Sequence, residues 1–187
     1  MINPFRVGRT IYFRPLERAD APVVQGWFND PEVTRTLLRR GPMNLAAEEA
    51  FIDQLSRGET ELAVVIALRE TDRPIGVTGL HPVDLRHRHA GFGINIGAKD
   101  EWGKGYGTEA AALMVDLAFD TLNLHRVWLH VFAYNKAGLR AYEKVGFQRE
   151  GVLRQSHFAE GRYWDTIAMA ILRDEWLARR EAAAEKG

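Results

Sequence analysis

The chain has 187 residues, 46% of them apolar and 27% charged, with 25 Lys plus Arg balanced by 25 Asp plus Glu. This is the composition of a globular protein long enough to bury its own core, and its even charge supplies no overall basic field to hold nucleic acid or an anionic membrane. No cysteine is present, which excludes a disulfide framework, a thiolate zinc site and a cysteine nucleophile. The opening stretch MINPFRVGRT has no apolar leader, and no run approaches the ~18 apolar residues of a membrane span, so a cytoplasmic protein is the default expectation.

In chain order, RTIYFRPLE (residues 9–17) reads as a first strand, β-branched and aromatic, whose closing proline suits a sheet edge. ERADAPVVQGWFND and NLAAEEAFIDQLSRG come next as helices, the second with Asn44 at its cap and Ala47, Phe51 and Leu55 on one face. ELAVVIALRE, RPIGVTGLHPVDL and HAGFGINIG are strand-like runs joined by turn chemistry, an antiparallel meander. Ala110, Met114, Leu117 and Ala118 then share a helical face, giving a helix over residues 105–122. HRVWLHVFAYN is a strand and KAGLRAYEKVGF a short helix stopped by Gly146. A strand pair turning at Glu160 and Gly161 and a polar helical tail complete the chain.

This mixed order predicts an α/β (α+β) fold with one sheet of about seven strands and about four helices, neither a repeat protein nor a doubly wound nucleotide fold. The expected organisation is one domain over residues 1–187, with a core at about 9–173 and a polar tail at 174–187.

EWGKGYGTE (residues 101–109) is the densest run of glycine. A triphosphatase phosphate loop requires Ser or Thr after Gly-Lys, and Gly105 stands there instead. GYGTEA satisfies the dinucleotide pattern as a string, but Ala98 to Trp102 separate it from the preceding strand and Asp120 falls inside the helix. What survives is a glycine-rich turn at a helix N-terminus, able to present backbone amides to an anion or simply to turn the chain.

Trp102-Gly103-Lys104-Gly105-Tyr106-Gly107 resembles the [RQ]-x-x-G-x-[GA] signature of the GNAT acetyltransferase superfamily at both glycine positions, with Trp102 in place of Arg or Gln. GFGINIG resembles the family's fourth strand. NKAGLRAYEKVGF is similar to its second signature, with Asn135, Tyr142, Gly146 and Phe147 in register. EWGKGYGTEA, LNLHRVWLHVF and GRYWDTIAMAIL further resemble the ribosomal-protein N-terminal acetyltransferase-like branch.

The resemblance implies a GNAT-type domain with a mixed, mostly antiparallel sheet, and transfer of an acetyl group from acetyl-CoA to a primary amine in a ternary complex. The alternative is an acetyl-CoA-binding module or sensor without transfer activity. It further implies that Ile94, Asn95 and Ile96 offer backbone groups to the cofactor's pantetheine arm and to the oxyanion. Trp102, Gly103, Lys104, Gly105, Tyr106, Gly107 and Thr108 would hold the pyrophosphate. Asn135 would bond the pantetheine region and Tyr142 would serve the departing thiolate as acid. Asn135 also suits a helix cap, and Glu109, in the first turn of its helix, a structural role.

His130 and Glu17 are candidates for the proton acceptor. His157, Phe158, Trp164 and the region of Trp27 and Phe28 would border the acceptor pocket by family analogy. His87 and His89 have the spacing of some metal sites, but no carboxylate pattern accompanies them, so a solvated loop and no metal are expected. The expected acceptor is a peptide N-terminus or a small-molecule amine; nucleic acid and membranes are not expected partners, and a homodimer is left open.

Overall fold

The computed structural model describes residues 1–38, 41–55 and 60–185. In chain order these form β1 (Arg6–Val7), β2 (Ile11–Pro15), α1 (Ala21–Asn29), α2 (Pro31–Thr34), α3 (Leu45–Leu55), β3 (Leu62–Leu68), β4 (Pro74–Asp84) and β5 (His89–Ile96). Then come α4 (Tyr106–Asp116), β6 (Arg126–Phe132), α5 (Lys136–Val145), β7 (Gln148–Ala159), β8 (Arg162–Leu172) and α6 (Arg173–Ala184). All the strands belong to one sheet in the order β1-β2-β3-β4-β5-β6-β8-β7.

The meander read from the sequence is β3-β4-β5, antiparallel throughout. The sheet holds 8 strands rather than about seven, because the two-residue β1 caps the outer edge of β2. Pro15 therefore sits in the penultimate strand, at the end of its pairing with β3. α2, only four residues long, is a single turn that begins on Pro31 with the Asp30 side chain accepting from the Glu32 amide.

β2 and β3 are apolar on both faces. Ile11, Phe13, Val64 and Ile66 enter the main core with Ala110, Met114 and Leu117, while Tyr12, Val65 and Ala67 are buried outside that cluster. Covering both faces is why these strands read as continuous apolar runs and not as alternating ones.

The helix expected over residues 105–122 is α only to Asp116; Leu117–Thr121 is a π-helical turn. The Arg173 guanidinium donates to the Phe119 carbonyl (2.6 Å) there. The expected polar tail also contributes to the core, since Trp176 of α6 is buried, packs on Phe119 at 5.4 Å and donates its indole N–H to Asp116 (2.7 Å). Among the described residues, no helix is long and apolar enough to cross a membrane.

Candidate active site

The site begins where two strands part. β5 and β6 are the parallel neighbours, and their pairing runs only from His89↔Arg126 through Ala90↔Val127 to Gly91↔Trp128. β5 continues to Ile96 and β6 to Phe132 without pairing, so a cleft opens between them while β4 still holds the far side of β5 down to Ile96. Ile94 and Ile96 pack against the main core; Asn95 is buried, and its Nδ2 has no hydrogen-bond partner among the described residues. A buried donor without an acceptor is uncommon and costly.

Beyond β5 the chain passes through a short 3-10 turn (Lys99–Glu101) into the glycine-rich loop. Gly103 (φ 77°) and Gly105 (φ 90°) both lie in the left-handed region, and no atom lies within 4 Å of where a side chain would stand on either. Gly105 is the N-cap of α4 and makes no side-chain cap bond. None of the amides of Gly103, Lys104, Gly105, Tyr106 and Gly107 donates to a protein acceptor among the described residues. A run of free amides at the positive end of a helix fits a pyrophosphate in both charge and hydrogen bonding.

Side chains around the loop brace it. The Trp102 indole donates to the Ile96 carbonyl (2.7 Å), tying the loop to the end of β5. That bond gives the tryptophan a role which the Arg or Gln of the family pattern would not predict, and it engages the carbonyl at the tip of the strand. Lys104 Nζ lies 2.8 Å from Glu101, which also faces Arg73 (3.3 Å), so the ammonium is held by its own loop. Glu109 accepts from Thr10 N (2.8 Å), Thr10 Oγ1 (2.5 Å) and Ile11 N (3.4 Å), joining α4 to β2. Burial pushes the Glu109 carboxyl upward, but these bonds outweigh it and hold the group below its ordinary value.

α5 brings the second motif to the same cleft. Asn135 caps it, accepting from the Gly138 amide (2.9 Å), and Gly146 ends it at φ 118°. About two turns beyond the cap, the Tyr142 ring packs edge-on against Phe92 (6.0 Å) of β5 and against Phe147 (5.9 Å). Its hydroxyl has no hydrogen-bond partner among the described residues, and burial pushes its pKa up to about 12. Tyr142 thus holds a protonated phenol beside the unpaired stretch of β5.

On the other side lies an open trough of about 680 Å³, lined by Phe28, Pro31, Arg35, Pro42, Phe158 and Glu160 among others. Tyr134, next to Asn135, joins trough and cleft. Its hydroxyl donates to the Arg35 carbonyl (2.7 Å) and lies 3.3 Å from His157 Nε2, and its ring meets Trp164 at 5.0 Å. His157 is buried in a stack on Phe132 (3.7 Å). Trp27 covers Gly97 so closely that no side chain fits there.

The proton-acceptor candidates divide. His130 is exposed on β6 beside Trp128 (5.4 Å), whereas Glu17 is exposed next to the 3-10 turn whose Asp20 accepts from its amide. Sequence reasoning passed over His81, whose exposed imidazole packs 3.0 Å from the position a Gly93 side chain would take. Only the pairing of β4 with β5 places it there. For His87 and His89 the hairpin supplies what the sequence pattern lacked: Asp84 Oδ2 lies 2.9 Å from His87 Nδ1 and 3.9 Å from His89 Nε2. Asp84 also accepts from the His87 amide (2.7 Å), as a turn cap does, at the end of β5 remote from the glycine loop.

Comparison with known proteins agrees with this geometry. Residues 10–148 match the family model described as acetyltransferase (GNAT) domain. The chain is 30% identical to a spermidine N(1)-acetyltransferase of Escherichia coli over 177 residues, 94% of this chain and 93% of that protein. It is 29% identical over 167 residues to an uncharacterized N-acetyltransferase p20 of Bacillus licheniformis (87% and 93%). A crystal structure of the spermidine N-acetyltransferase from Vibrio cholerae in complex with CoA and spermine superposes with a TM-score of 0.84 at 28% identity, covering 90% of this chain and 98% of that one. These relatives are spermidine and uncharacterised acetyltransferases, not the ribosomal-protein branch that the motifs resembled.

Proposed function

The chain belongs to the GNAT acetyltransferases, enzymes that draw an acetyl group from acetyl-CoA, and on that premise we propose that it acetylates a primary amine held in the trough beside the β5–β6 cleft, by direct transfer within a ternary complex. The observation that carries the reading is the run of amides from Gly103 to Gly107, unpartnered among the described residues, at the start of α4 and directly beyond the stretch of β5 that does not pair with β6. A pyrophosphate and an extended pantetheine arm need those two surfaces side by side.

In this proposal Gly103 to Gly107 bind the pyrophosphate through their backbone amides, and Thr108, whose own amide donates to the Gly105 carbonyl (3.1 Å), adds its hydroxyl. Trp102, Lys104 and Tyr106 shape the loop, and Asn135 bonds the pantetheine region as well as capping α5. The segment Ile94, Asn95 and Ile96 donates to the carbonyl oxygen as negative charge develops on it. A preorganised donor of that kind contributes about 3 kcal/mol to the barrier. The reaction forms one C–N bond and breaks one C–S bond, and the proton lost by the amine balances the proton gained by sulfur.

In this reading Tyr142 serves the departing sulfur. Proton loss from a phenol near pKa 12 to a thiolate near 8.5 is uphill by about 3 to 4 pK units, so its main contribution is a hydrogen bond to the developing thiolate. The absence of cysteine agrees with direct transfer.

The test is release of free thiol from acetyl-CoA over a panel of small primary amines and short peptides with free N-termini. Amine-dependent release with a matching acetylated product is expected. Tight acetyl-CoA binding by calorimetry with no release from any amine would sink the reading.

A further inference from the structure

The turn between β4 and β5 carries a cluster that acetyl transfer does not use. Asp84 and His89 are cross-strand partners in the last pair of the β4–β5 ladder, and His87 stands in the turn that joins them. Asp84 Oδ2 lies 2.9 Å from His87 Nδ1 and 3.9 Å from His89 Nε2. One ligand atom from each of the three lies within 4.8 Å of the other two. Spacing alone left the two imidazoles without a carboxylate; the register of the hairpin supplies it.

Zinc bonds imidazole nitrogen and carboxylate oxygen at about 2.0–2.2 Å, which sets tetrahedral ligand atoms about 3.3–3.6 Å apart. The separations from Asp84 bracket that spacing, so small rotations of the His87 side chain, 65% exposed, and the His89 side chain, 36% exposed, bring them to one ion. His89 Nδ1 is buried and has no partner among the described residues, so Nε2, the nitrogen facing Asp84, is the one offered to a ligand. Two nitrogen donors beside one carboxylate select against magnesium and calcium, which take oxygen ligands.

The turn is braced from outside the cluster. Asp84 accepts from the His87 amide (2.7 Å), and the Arg88 carbonyl accepts from the His125 amide (2.6 Å). The Arg88 guanidinium donates to the Asn123 carbonyl (2.8 Å) and Oδ1 (2.9 Å), and Arg86, the other cation of the turn, is exposed to screening by water and salt. Ligands held on such a turn give up little freedom when an ion binds.

We propose that Asp84, His87 and His89 bind one divalent zinc-class ion, with water completing its coordination. Beyond the register shift between Leu80 and Val83, the pairs Val83↔Ala90 and Asp84↔His89 hold this end of the hairpin, and the ion ties the two strands across the last of them. The site is a clip on the hairpin, at the end of β5 remote from the glycine loop. No step of acetyl transfer passes through it, and it does not depend on the transfer reading.

The experiment is calorimetric titration of the chelator-treated full chain with Zn²⁺. One site per chain with a Kd of about 1–10 µM is expected. His87→Ala and His89→Ala should each weaken binding by about tenfold or more. Asp84→Asn keeps an acceptor for the His87 amide while removing the charge, should weaken binding similarly, and serves if an alanine variant fails to fold. His81→Ala and His130→Ala, exposed imidazoles outside the cluster, should bind as the unaltered protein does, and millimolar Mg²⁺ should not compete. Binding no tighter than about 1 mM overturns the inference. So does micromolar binding that survives the combined His87→Ala and His89→Ala changes, depends instead on His81 or His130, or yields to Mg²⁺.

Discussion

Tyr142 and Glu109 show how much a single side chain in this protein owes to its surroundings. Tyr142 is raised to about 12 by burial against Phe92 and Phe147. Because the shift is upward, the phenol stays protonated as pH rises and loses its proton only toward pH 12. The rate should therefore show no loss from Tyr142 up to pH 10, and a tyrosine-dependent fall centred near 10 would contradict its burial. Tyr142→Phe should lower kcat by roughly 10- to 100-fold with little change in acetyl-CoA affinity, measured by steady-state rates and calorimetry on the same preparation. Glu109 is the opposite case, a carboxyl held low by bonds from Thr10 and Ile11. A depressed folded pKa contributes stability above the unfolded value, lost as pH falls through the folded one. Glu109→Gln should cost about 1–2 kcal/mol at neutral pH, and the gap to wild type should shrink as pH drops below the ordinary glutamate value of 4.5. Urea denaturation of both proteins at neutral and acid pH measures it.

At the scale of elements, the two motifs act as helix caps, Gly105 opening α4 and Asn135 and Gly146 bounding α5. Gly105 opens α4 at φ 90°, where a β-branched residue is strained whatever space surrounds it. Gly105→Val should weaken acetyl-CoA binding by about tenfold or more and destabilise the fold by about 1–2 kcal/mol; unchanged affinity in a folded variant removes the loop from the pyrophosphate site. Asn135→Ala should cost about 1 kcal/mol through loss of the α5 cap. Asn135→Asp keeps the cap, so comparing the acetyl-CoA affinities of the two variants separates capping from ligand binding. Most of these elements were legible beforehand, because helical periodicity and the Asn44, Asn135 and Gly146 signals are local properties. The structure bears out each cap: Asn44 Oδ1 accepts from the Ala47 amide at 2.8 Å, and Gly146 stands at φ 118°. β1 and α2 were not legible. β1 exists only because β2 offers it an edge, and α2 is a single turn too short to carry a periodicity.

For the whole molecule, saturating ligand is the simplest probe, since anything that binds only the folded state stabilises it by mass action. Acetyl-CoA at about 100 times its Kd should add about 2.7 kcal/mol, a rise in Tm of roughly 5–10 °C for a chain of this size. No shift at any concentration would remove the cofactor from the account. The sequence alone determined that a helix begins on a glycine-rich loop, that a second helix runs from Asn135 to Gly146 with Tyr142 inside it, and that both lie in a mixed α/β chain of GNAT type. Each of those rests on neighbouring residues and their spacing. Tertiary structure decided that β5 and β6 part after Gly91 and Trp128, that Trp102 reaches back to Ile96, that His81 stands over Gly93, and that Lys99 pairs with Asp30 and Glu32 and Arg35 with Glu160. These pairings join residues distant in the chain, and their chemistry depends on which strands pair, and where pairing stops, which no local pattern encodes.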